Sequence, residues 1–219
     1  MELLNINTAR ATWLFDIREL NPRGKAIMPE LLEWLKDNYK FDKAPSSITD
    51  LDEKSKALAF ERGQFQVKEE IFVDVALKIF SDGLVAESQS STRDSEAFLE
   101  DVLKLAAKDF SLNYKPTMIR NKAYFSELNV ESAKSLNGMH PKVAEFAAKI
   151  SRLVGGREEK RFDFAAVGFW PNEFVPHGPF RFERKLNTHP SENRYFSSAP
   201  FHTDDHLKIL DEFESLFMS

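Results

Sequence analysis

An α+β fold, with helices packed on a mainly antiparallel sheet, follows from three features of this 219-residue sequence. From Ile71 to Phe80 every odd position is Ile, Val or Leu, which is strand alternation. Asp82-Gly83 then forms a type I′ turn that sends Leu84–Ser90 back antiparallel. Four further runs carry apolar residues at helical spacing: Met28–Tyr39, Asp94–Phe110, Pro141–Val154 and Asp204–Phe217. Finally, the order of elements recurs about 108 residues along the chain, which reads as a tandem of one β-α-β-β-β-α unit.

Taken in order, Ala11–Leu20 reads as a strand carrying Trp13 and Phe15, ended by the turn Asn21-Pro22-Arg23-Gly24. The helix Met28–Tyr39 has the stripe Met28, Leu31, Leu32, Leu35 and Tyr39, and Pro29 sits where a first helical turn loses no donor. Asp42–Lys56, with Pro45-Ser46-Ser47, is a polar loop. In Asp94–Phe110 the residues Phe98, Val102 and Leu105 share a side, and Thr92 or Asp94 is placed to cap the open N–H groups. Thr117–Val130 reads as a strand. Pro141–Val154 is a helix closed by Gly155-Gly156, and Arg157–Arg161 is a solvated charged turn. Strands follow over Phe162–Trp170, Phe180–Lys185 and Tyr195–Phe201. The last helix turns Leu207, Leu210, Phe213 and Phe217 inward.

The repeat rests on matched slots. Glu19-Leu20-Asn21 and Glu127-Leu128-Asn129 each close a strand-like run. Pro29-Glu30-Leu31-Leu32-Glu33-Trp34 matches Pro141-Lys142-Val143-Ala144-Glu145-Phe146 in proline, aliphatic, glutamate and aromatic, and Ser90-Ser91 matches Ser197-Ser198 before each closing helix. Offsets drift by a few residues, so chance similarity between simple α+β orders is the competing account. The corresponding division is residues 1–112 and 113–219, with one continuous domain as the alternative.

Hydrophobic residues make up 42% and charged residues 30%, the balance of a globular chain. Twenty Phe and three Trp fit either a dense core or a partner surface. A net charge of −5 argues against a broad nucleic-acid footprint but leaves room for a local basic patch. With no cysteine there is no disulfide, thiolate metal site or cysteine nucleophile. No basic-then-apolar leader opens the sequence and no window reaches about 18 apolar residues, so the expectation is a soluble, cytoplasmic protein away from membranes.

The sequence has no Walker loop, dinucleotide fingerprint, His-Glu-x-x-His or Gly-x-Ser-x-Gly, and nothing in it implies a cofactor. Three clusters carry chemistry. The loop Trp170–Phe180 holds three prolines, and its Trp170, Phe174, His177 and Phe180 are candidate interaction residues, with burial against the sheet end as the alternative. Arg184 shares a strand face with Phe180 and Phe182. It is either an anchor for an anionic ligand or an arginine paired at the sheet margin. His202, Asp204, Asp205 and His206 form a weak metal candidate, because Thr203 as N-cap puts His202 outside the helix and both acids in its first turn.

Three functional readings follow. The first is a non-catalytic protein-interaction or assembly subunit of an intracellular complex, with a protein partner or self-association and no catalytic residue. Its alternatives are a metal-dependent hydrolase or nuclease using the His202–His206 cluster, and a small anionic-ligand-binding domain anchored by Arg184.

Overall fold

Ala9, Ala11 and Trp13 alternate inward along the first strand, β1 (Glu2–Leu14), so this strand begins and ends earlier than its strand-like sequence predicts. Asp16 sets the end: its carboxylate accepts from the Arg18 N–H and starts a 3-10 turn over Ile17–Leu20. The computed structural model describes residues 1–25, 27–153, 162–172 and 178–217.

α1 (Met28–Asn38) follows as expected, with Leu32 and Leu35 buried. β2 (Leu58–Lys68) fills the strand position after α1 that the β-α-β-β-β-α order requires but that no alternating run in the sequence marks, and the reason is local. Arg62 takes a left-handed backbone and the pairing register shifts between Phe60 and Gly63, so the buried positions change phase in mid-strand. β3 (Ile71–Phe80) and β4 (Gly83–Ser88) form the predicted hairpin, but its turn differs. Phe80 pairs with Gly83, so Ser81 and Asp82 are the loop, and neither enters the left-handed region that a type I′ turn requires. Gly83 is needed for another reason. A Cβ there would collide with the Trp13 carbonyl oxygen of β1.

α2 (Thr92–Phe110) is capped by Ser91, one residue before the predicted candidates: its hydroxyl accepts from the Asp94 N–H. A 3-10 turn at Pro116–Met118 delays β5 (Asn121–Glu131). α3 (Pro141–Leu153), β6 (Ala166–Phe169), β7 (Phe180–Arg184), β8 (Arg194–Ala199) and α4 (Thr203–Ser215) complete the order. The expected Gly155-Gly156 cap lies outside the described residues.

The fold is α+β. Its eight-stranded sheet has the order β2-β3-β4-β1-β5-β8-β7-β6 and is antiparallel. A strand, a 3-10 turn, a helix, three strands and a helix occur in that order twice. No helix among the described residues is long and apolar enough to cross a membrane.

By contact density the chain divides into residues 8–126 and residues 1–7 with 127–219, each with its own core. In the first, Tyr39 meets Phe98 edge-on at 4.9 Å while its hydroxyl donates to Asp101 at 2.8 Å. Trp34 donates to Asp109 and meets Phe110 edge-on, which ties α1 to the end of α2. In the second, Phe182 stacks on Tyr195 at 4.6 Å and meets Phe213 edge-on. The Tyr195 hydroxyl accepts from the Leu136 N–H, so a buried phenol is satisfied. Burying each such ring is worth roughly 1.5–3 kcal/mol, and these two ring clusters absorb much of the aromatic excess.

Candidate interaction site

β7 alternates as a half-buried strand must: Phe180 and Phe182 face the core, and Arg181 and Glu183 face water. Its neighbour β6 ends the strand order of the sheet, with Gly168 opposite Arg181 and Phe169 opposite Phe180. That register decides the site. Phe169 meets the Phe180 ring at 5.8 Å on the core side, yet as an edge residue it stays 56% exposed. Trp170 turns to the other face. Its indole lies over the bare backbone of Gly168, and the Arg181 guanidinium sits 5.2 Å from its ring centroid. Trp170 is 68% exposed.

Two large rings thus flank the edge strand from opposite faces, with a cation against one of them. Leaving both in water forgoes the burial energy that Phe182 and Tyr195 gain nearby. α3 also exposes a ring. Its apolar positions Val143, Phe146, Ala147 and Ile150 share one face, but only Ala147 is buried and Phe146 is 63% exposed.

Of the four interaction residues expected from sequence, Trp170 is at the surface and Phe180 is not. Phe180 packs against Phe169, His206 and Phe213, so it supports the site from beneath. Phe174 and His177 lie outside the described residues. Arg184 is largely buried, with Nη1 at 3.6 Å from the Asp163 carboxylate, the arrangement of an arginine paired at the sheet margin.

The His202–His206 cluster is spread between surface and core. The helix N-cap is His202, one residue earlier than the Thr203 cap expected from sequence, and Thr203 is the first, buried, helical residue. Asp204 and Asp205 are exposed in the first turn, and Asp205 pairs with Lys208. His206 is enclosed: Nε2 lies 2.8 Å from the Ser197 hydroxyl, and burial pushes its pKa down to about 4. Ser197 donates its only proton to the Arg181 carbonyl at 2.8 Å, so it accepts from Nε2–H. A serine with that bond and no solvent access is poorly placed as a nucleophile. Among the described residues, no three His, Asp, Glu or Cys side chains are grouped to hold a metal.

Sequence reasoning missed Phe169, Arg181 and Phe146 as surface residues. Phe169 and Arg181 fell inside predicted strands: alternation along β7 turns Arg181 to water, and the edge position of β6 leaves Phe169 exposed. No known protein-family model matches the chain, and no curated protein matches it.

Proposed function

We propose that this chain is a non-catalytic protein-interaction or assembly subunit of an intracellular complex, which docks through the β6 edge by Trp170, Phe169 and Arg181. The observation that carries this reading is the exposure of Phe169 on the last strand of the sheet and of Trp170 directly after it. Tryptophan and arginine dominate the energetics of protein interfaces. An indole already held by a guanidinium and a glycine backbone loses little freedom on docking. β6 is only four residues long, so ring burial rather than strand addition supplies the affinity.

The repeated element order supports a companion proposal, that the two halves are copies of one unit. Ser95 and His206 are each the fourth residue of their closing helix and each bonds a serine of the preceding strand, Ser88 and Ser197. Leu99 and Leu210, the eighth residues, are both fully buried.

The docking experiment compares the intact chain with Trp170→Ala by sedimentation at high concentration and by quantitative capture from native extract. Loss of roughly 2 kcal/mol or more of association, with no more than about 1 kcal/mol lost in unfolding, is the expected result. A chain that stays monomeric, and whose captured proteins are indifferent to Trp170→Ala and Phe169→Ala, sinks the reading.

A further inference from the structure

The Thr8–Ser126 unit holds a second feature that an interaction surface does not require. At one end of its core, away from the Tyr39, Phe41, Phe60 and Phe98 rings, lies a cavity of about 470 Å3. That is within the roughly 300–1,000 Å3 range of small-molecule sites. Leu35, Leu84, Val102 and Leu103 form buried walls, and Ala106 on α2 leaves space where a larger side chain would fill it. Among the described residues the lining is almost wholly aliphatic, with Phe80 its single ring. An aliphatic chamber of this size takes an apolar ligand body.

The mouth is framed by the segment between α1 and β2. Two short turns order it: Asp50 accepts from the Ser46 N–H and hydroxyl, and Asp52 from those of Ser55. Ile48 within the first turn and Leu51 between the two line the cavity yet remain 56% and 45% exposed. Such apolar residues gain burial only if something occupies the space they border.

One polar end is on offer. Lys56 is the only charged residue among the described residues of the lining, and its backbone is set in the left-handed region with its N–H bonded to the Asp52 carbonyl. Among the described residues no carboxylate lies within ion-pair distance of its ammonium. Asn21, the other long polar side chain in the lining, is committed to both the N–H and the carbonyl of Lys25.

We propose that this cavity binds the chain of a medium-length aliphatic carboxylate, with the Lys56 ammonium pairing the carboxylate at the mouth. One cation beside an apolar chamber matches one anionic head on a hydrocarbon tail.

The test titrates decanoate, and decan-1-ol as its uncharged counterpart, into the whole chain with calorimetric and NMR readouts. Three chains are compared: the intact one, Lys56→Gln, and Ala106→Leu, which fills the cavity. The intact chain is expected to bind one decanoate below the detergent's aggregation range, with methyl shifts at Leu31, Leu35 and Leu103. Lys56→Gln should weaken decanoate about tenfold and leave decan-1-ol unchanged, and Ala106→Leu should weaken both while the chain stays folded by circular dichroism. No saturable decanoate binding to the intact, folded chain overturns the proposal, as does binding that is indifferent to both substitutions. Tight decan-1-ol binding with decanoate insensitive to Lys56→Gln overturns the anionic-head assignment.

Discussion

His206 Nε2 and Ser197 Oγ lie 2.8 Å apart with both side chains fully enclosed, so a histidine at the start of α4 is locked neutral inside a core. Its folded pKa is held near 4 by burial, against 6.5 when free. Because the unfolded chain takes up the proton more readily, this group's contribution is complete above about pH 6.5. It is lost as pH falls toward about 4 and amounts to about 3 kcal/mol. Urea unfolding at pH 7.5 and 4.5 should show that loss in the intact chain and a smaller one in His206→Gln; equal losses in the two chains would refute it.

Phe180 and Trp170 should part company on truncation. Phe180→Ala removes a ring packed between Phe169, His206 and Phe213 and is expected to cost about 3–5 kcal/mol of stability. Trp170→Ala forgoes only an exposed contact with Arg181, worth about 0.5–1 kcal/mol. Denaturant midpoints decide this, and a large stability loss in Trp170→Ala would turn that ring into a structural one.

Two glycines separate strain from collision. Gly24→Ala faces open space at a left-handed φ of +60° and should cost about 1 kcal/mol. Gly83→Ala also drives a Cβ into the Trp13 carbonyl, forcing β4 away from β1, so a loss of about 2 kcal/mol or more is expected. Similar thermal midpoints for the two variants would argue against the close approach.

Ser91→Ala removes the hydroxyl that caps α2. A loss of about 1 kcal/mol is expected, with the helix content of the folded chain unchanged in circular dichroism. A Ser91→Ala chain as stable as the intact one in urea unfolding would assign the cap elsewhere.

Much of the framework is legible from local pattern. Ile71–Phe80 alternates without interruption and is a strand to the residue. α1, α3 and α4 fall within a residue or two of their apolar stripes. β2 escaped because a left-handed Arg62 shifts the phase of its inward residues, and a period-two pattern broken in the middle reads as irregular. The Asp82-Gly83 turn was misread for a related reason. The glycine answers to a neighbouring strand that is distant in sequence, not to the turn itself.

The candidate site divides along the same line. That Trp170, Arg181 and Phe169 are large or charged is written in the chain, but that two rings stay wet while Phe180 and Phe182 are buried depends on β6 being the last strand. Local propensity and periodicity act over a few residues and determined the α+β class and most of its elements. Burial, edge position and the partners of His206 and Arg184 are set by contacts between residues far apart in sequence, and these only the tertiary structure decided.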